Sequence, residues 1–147
     1  MSFKIKIMGH VFADIEIVNS VDLALSKSGM IGQEEVRSYR LNILVDTGAL
    51  MLTINETIQE VLGLPVIDHR MAQMADGSRI KLPVVGPIEV RFEDRFSTGN
   101  AYVLPGDSEP LLGVIPLEEM DVWINPTRNL LTPVHPDGWV LRLKGGF

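Results

Sequence analysis

Leu41-Asn42-Ile43-Leu44-Val45-Asp46-Thr47-Gly48-Ala49 is the stretch whose reading decides the fold. Ile43 to Val45 is an apolar strand that runs directly into an Asp-Thr-Gly turn. Upstream, Arg37, Tyr39, Leu41, Ile43 and Val45 alternate with a period of two, which places them on one face of a long strand. Burying that face brings Asp46 to the edge of a core, where an ionised carboxylate is costly without partners. Gly48 permits a close backbone approach that a Cβ would forbid, and the Thr47 hydroxyl can bond across a tight loop. A carboxylate held in this way is suited to general acid–base chemistry.

Downstream of the turn, Leu50 to Ile54 reads as a short strand. Asn55 is an N-cap, Glu56 fits a first helical turn, Ile58, Val61 and Leu62 share a helical face, and Gly63 and Pro65 end the helix. Asp76-Gly77 predicts a two-residue hairpin of type I′, with arms 71–74 and 79–82. Ile88 to Phe92 alternates, with Gly99 to Leu104 as its partner strand. Pro105-Gly106-Asp107 turns the chain into Leu111-Leu112-Gly113. Leu117 to Met120 forms a helical turn, and Val122 to Ile124 a strand stopped by Asn125-Pro126. His135-Pro136-Asp137-Gly138 is a turn, followed by the apolar alternation Trp139, Leu141, Leu143.

Upstream of the central stretch, Phe3 to Ile7 and Phe12 to Ile17 alternate as half-buried strands, with a turn at Gly9-His10. Leu23 and Leu25 suit a strand, whereas Ser26 to Gly29 reads as a loop. Many short strands with one or two short helices imply an all-β, closed-barrel-like fold.

The totals narrow the functional classes. At 147 residues, one domain is expected (1–147), with a core region 37–131 between an N-terminal extension of strands, 1–36, and a tail, 132–147. A net charge of −6 with scattered lysines and arginines disfavours nucleic acid. There is no cysteine, so disulfides, thiolate catalysis and sulfur-ligated zinc are excluded. His10, His69 and His135 lack metal-ligand spacing and read as surface or turn residues, so no metal or other cofactor is expected. Neither a signal peptide nor a charge-free apolar run near 18 residues is visible, and the expectation is a cytoplasmic protein without membrane association. Serine-hydrolase elbows and phosphate-binding glycine loops are absent.

Leu44 to Ala49 resembles the active-site loop of the retropepsin-like (retroviral-type, clan AA) aspartic proteases. Leu111-Leu112-Gly113 resembles the second signature of that family, which packs behind the catalytic loop. Pro110 to Glu119 is similar to bacterial single-domain members. The resemblance spans about Arg37 to Leu131. It implies an aspartic endopeptidase with Asp46 catalytic, Thr47 bonding across a dimer, and Gly48 and Ala49 beside the substrate. It assigns Leu111, Leu112 and Gly113 to support of the loop. The hairpin tip, Met74, Ala75, Asp76, Gly77 and Ser78, stands where the family carries a flap over bound peptide.

Aspartic proteolysis needs two adjacent carboxylates that share a proton. The chain has one Asp-Thr-Gly and no second copy, so by this resemblance the pair is Asp46 of each subunit in a homodimer, with a peptide or protein as substrate. Ala49, which supplies no hydroxyl, implies activity at mildly acidic pH. A catalytically silent, dimeric peptide- or protein-binding module on the same fold is the alternative.

Overall fold

The computed structural model describes residues 10–141; the expected strand Phe3–Ile7 and the end of the tail alternation lie outside them. The core is built on β1 (Phe12–Asn19) and β2 (Ser38–Val45), antiparallel in the register Phe12↔Leu44 to Val18↔Ser38. Ala13, Ile15 and Ile17 on β1 meet Ile43 and Val45 on β2 in the core, with Tyr39 and Leu41 packed against its margin. The period-two reading therefore holds from Tyr39 onward, because one face of the pair is buried and the other is solvated. Arg37 falls outside this inward row; it is exposed at the foot of β2.

The chain between these strands departs from expectation. Leu23 and Leu25 lie on a helix, α1 (Ser20–Lys27), followed by a 3₁₀ turn at Gln33–Glu35. The cause is Asn19, whose Oδ1 accepts the amides of Val21 and Asp22 at 3.0 and 3.1 Å, capping the helix, while its Nδ2 donates to the Leu62 carbonyl. Asp22 in the first turn then accepts from the backbone amide, Nε and Nη2 of Arg37 at 2.8–3.0 Å. The Arg37 side chain, through these bonds, holds the Asp22 carboxyl below the ordinary carboxylate range.

A carboxyl lowered by folding contributes stability that is present above its unfolded pKa and lost as pH falls through its folded one. Asp22→Asn is therefore expected to lower stability at neutral pH by about 1–2 kcal/mol, limited by the exposure of Arg37 to solvent. The gap from the parent protein should narrow as pH drops below about 4. Urea unfolding of both proteins at pH 7 and pH 3 checks this.

After β2 come β3 (Leu52–Asn55), α2 (Glu56–Leu62), β4 (Val66–Gln73), β5 (Arg79–Phe92), β6 (Arg95–Leu104), β7 (Leu111–Leu112), α3 (Val114–Glu119), β8 (Val122–Asn125) and β9 (Leu130–Pro133). Seven strands form one sheet in the order β1-β2-β7-β3-β6-β5-β4, with β1 also paired to β5; β8 and β9 form a separate two-stranded sheet. Among the described residues there are three short α-helices, one more than the upper expectation, because the α1 cap was not read. Asn55 caps α2 as predicted, its Oδ1 accepting from the Ile58 amide at 2.9 Å, and Gly63 ends it in the left-handed conformation. Ile58 and Leu62 are buried, but Val61 is exposed.

The hairpin over residues 66–92 is real but its turn is not the two-residue type. Gln73 pairs with Arg79. The Gly77 amide donates to the Met74 carbonyl at 2.9 Å, and the Met74 amide to the Ser78 carbonyl at 2.7 Å. Only Gly77 of the turn residues has positive φ, +87°. This is a three-residue loop, Ala75-Asp76-Gly77, ending in a left-handed glycine. Asp76 Oδ1 accepts from the amide and hydroxyl of Ser78, a local satisfaction that a type I′ turn would not offer and that lowers its pKa. Gly77→Ala should strain the loop by about 1 kcal/mol. The effect belongs to the hairpin tip, so hydrogen exchange should quicken at residues 73–79 and stay unchanged in β1 and β2.

Residues 135–140 are held by a partly buried network. Arg95 is buried, and its Nη1 donates to the carbonyls of Met120 and Asp121 while Nη2 donates to that of His135. Asp121 Oδ2 sits 2.7 Å from His135 Nδ1 and accepts from the Val140 amide. Trp139 Nε1 donates to the Glu119 carbonyl, with its ring edge-on to Phe96. The Glu119 carboxylate also accepts from the Thr98 amide.

Candidate active site

Asp46 ends β2 at the rim of the core, half-buried, with Thr47 and Gly48 exposed beyond it. Three sets of bonds hold the turn. Asp46 Oδ1 accepts from the Gly48 amide at 2.8 Å, and the Asp46 carbonyl accepts from the Ala49 amide at 3.1 Å, closing the loop on itself. The Val45 amide donates to the Val11 carbonyl at 2.8 Å. The Asp46 amide donates to the Leu112 carbonyl at 3.0 Å, which ties the carboxylate-bearing residue to a segment 66 positions later.

That segment is the Leu-Leu-Gly motif. β7 lies parallel to β2 with Leu44↔Leu111 and Val45↔Leu112, and antiparallel to β3 at Thr53↔Leu111. Leu112 is fully buried beneath the turn. Past it, the amides of Val114 and Ile115 donate to the carbonyls of Ala49 and Leu50 at 3.0 and 2.9 Å. Gly113 is required by this embrace. A Cβ there would stand 2.6 Å from the Met51 carbonyl oxygen and 2.7 Å from the Leu50 carbonyl carbon, both backbone atoms that have no freedom to yield.

The Leu44 side chain faces away from the core, on the same side of the sheet as its neighbours Phe12 and Leu111. Together they make an apolar row leading to Asp46, with Phe12 and Leu44 partly open to solvent. Sequence reading missed this row and the backbone roles of Val11, Leu50 and Met51. Phe12 was legible only as one end of an alternating strand, and its partnership with Leu44 depends on register.

The tip of the β4–β5 hairpin, Met74 to Ser78, is solvent-exposed except for loop contacts within itself, and β4 has no buried residue. Met71 is 63% exposed, so core packing is not its role. Elsewhere, an open depression of about 720 Å³ is lined by Asp14, Glu16, Arg40, Asn42, Arg91 and Glu93 on the outer face of β1, β2 and β5. Glu16 stands 3.6 Å from both Arg40 and Arg91, and Arg91 bonds Glu89, so the floor is an internally paired ion network remote from the turn. No cluster of His, Cys, Asp and Glu suited to a metal occurs among the described residues. Nor is any helix among them long and apolar enough to cross a membrane.

A single Asp46 with an amide-anchored carboxylate, an exposed Thr-Gly flank and a rigid backing strand can present a general acid or base at a surface, but only half of a two-carboxylate centre. A search of curated proteins gave no match. The sequence model of an aspartyl protease family of the retropepsin-like clan matches residues 27–115, which takes in the Asp-Thr-Gly turn, the hairpin and the Leu-Leu-Gly motif. Covering more than half of the chain, this match establishes that the protein belongs to that aspartyl protease family.

Proposed function

We propose that the protein is an aspartic endopeptidase whose catalytic pair is Asp46 from each of two copies. The observation that carries this reading is the Asp46 turn itself, closed by the Gly48 amide and backed through Leu112 and Gly113. One chain supplies one such carboxylate, so a two-fold axis beside the turn completes the centre. The pairing of β1 with β5 supports a closed barrel behind it.

In the pair, one proton is shared, because two carboxylates a few ångströms apart cannot both ionise cheaply. The ionised member takes a proton from a water molecule, whose oxygen attacks the scissile carbonyl carbon. The protonated member donates to the carbonyl oxygen, giving a neutral gem-diol. As the C–N bond breaks, the amine nitrogen takes a proton from the dyad and one gem-diol hydroxyl returns its proton to it, leaving an amine, a carboxylic acid and a dyad with one shared proton. The Gly48 amide on Oδ1 fixes the rotation of each carboxylate, leaving Oδ2 toward the water. Thr47 bonds across the two-fold axis, and Gly48 and Ala49 border the peptide.

The substrate is an extended peptide, covered by the Met74–Ser78 hairpin tip acting as a flap and selected for apolar side chains by Phe12, Leu44 and Leu111. Cleavage of a diverse peptide library between about pH 4 and 7, read by mass spectrometry, tests the proposal. Activity that rises faster than linearly with protein concentration in the range of dimer dissociation is expected. Equal products from the parent protein and Asp46→Asn, with dimer present, would leave the silent peptide-binding module as the reading.

A further inference from the structure

His10 takes no part in the proposed reaction, yet strand register carries it to the edge of the Asp46 turn. Phe12↔Leu44 is the last paired position of β1 and β2, and one residue further the Val45 amide still donates to the Val11 carbonyl at 2.8 Å. The next step of that register sets His10 opposite Asp46. Side chains alternate along each strand, so His10, Phe12, Leu44 and Asp46 belong to the outer face, while Val11 and Val45 are buried. The His10 ring agrees with this facing: it stands edge-on to Phe12, with centroids 6.5 Å apart. Its backbone is held from the β8–β9 turn, where Asn129 Nδ2 reaches the His10 carbonyl at 3.5 Å.

The ring is exposed, and among the described residues neither of its nitrogens is bonded. No ion pair joins it to Asp46, whose Oδ1 is occupied by the Gly48 amide. The other charged groups around it are Asp14 and Arg128. Asp14 lies on the same face beyond Phe12 and is bonded by Asn42 at 2.7 Å, and Arg128 adjoins Asn129 in the β8–β9 turn. The apolar row of Phe12, Leu44 and Leu111 thus ends at an unengaged imidazole. Protonated, that ring offers two N–H donors and no acceptor, which suits an anionic group. Side chains on one side of an extended peptide repeat every ~7 Å, close to the separation of the His10 and Phe12 rings. We infer that His10 is a specificity-determining residue, which binds an Asp or Glu side chain of the substrate two positions from the apolar side chain seated on Phe12 and Leu44. The inference rests on the proposed peptide substrate and adds an acidic preference to it.

The test uses matched peptides in which Leu is followed or preceded, two residues away, by Glu or by Gln. The ratio of their kcat/KM values cancels the pH dependence of the reaction itself. The parent protein should favour Glu about tenfold at pH 5.5 and lose most of that preference by pH 8, because an imidazole loses its charge over this range while Glu stays ionised. His10→Gln should lower the Glu peptide to the level of the Gln peptide, and His10→Arg should keep the preference at pH 8. His69, exposed on β4, serves as the control: His69→Gln should discriminate as the parent protein does. Cleavage with a ratio near one at pH 5.5 overturns the inference and leaves the protease reading standing. So does a preference that survives in His10→Gln. Should neither peptide be cut, their binding is compared by fluorescence anisotropy. Binding that favours Glu and loses this in His10→Gln keeps the site and sinks the protease reading, whereas equal or absent binding ends both.

Discussion

Asp46→Asn should abolish peptide cleavage, with a loss of at least about 10³-fold, while leaving the protein folded. The magnitude follows from the chemistry. An amide cannot take the proton from water, nor hold the shared proton that protonates the carbonyl oxygen and the leaving amine, so general base and general acid assistance are removed together. In a two-copy centre the substitution also enters twice, and no residual half-site remains to work. Stability should move in the opposite sense or not at all, because the Asn carbonyl oxygen can still accept the Gly48 amide, now at 2.8 Å from Oδ1, and in the proposed pair two carboxylates would no longer face each other. Peptide turnover measured beside thermal unfolding separates the two effects. A variant that retained a tenth of the parent activity would show that Asp46 does not carry the reaction.

Gly113→Ala should be the most damaging change of a single methyl group, costing about 3 kcal/mol of stability. The new Cβ has no route to relief: the atoms it meets at 2.6–2.7 Å are the backbone of Leu50 and Met51, where the Leu50 carbonyl is bonded to the Ile115 amide and the adjoining Ala49 carbonyl to the Val114 amide. Relaxation must therefore move either the active-site loop or the Leu111–Leu112 strand, and both motions shift the Asp46 amide off the Leu112 carbonyl. A loss of turnover is expected beyond what the unfolded fraction explains, since misplacing a reacting group by about 1 Å can cost roughly a hundredfold. Chemical denaturation and turnover of the folded fraction check both parts. Gly106→Ala is a useful contrast: its φ is +59°, so it is strained, but nothing lies within 4 Å of the added Cβ and the turn is remote from Asp46.

The two signatures were legible because each is dictated by local chemistry. An apolar alternation that ends in Asp-Thr-Gly allows few structures, and Asn55 with Gly63 frames a helix whatever surrounds it. The strand reading of residues 23–25 failed for a reason of the same kind, running the other way. Leu23 and Leu25 carry a weak two-residue period, and the decisive signal was the Asn19 side chain, whose capping bonds belong to the residue before the helix. The hairpin at Asp76-Gly77 was legible in position but not in turn type, because Asp76 could satisfy its carboxylate on Ser78 without adopting positive φ.

The sequence by itself determined the strand that delivers Asp46, the glycine-bearing turn after it, the short capped helix and membership in a protease family, since periodicity, caps and motifs are properties of neighbours along the chain. Only the tertiary structure decided which carbonyl holds the Asp46 amide, why position 113 must lack a side chain, and that Phe12 shares a face with Leu44 and Leu111. Those facts are set by strand register and by backbone approach between segments some sixty residues apart. A one-residue slip would reverse every facing, and such a choice is made by the packed core as a whole.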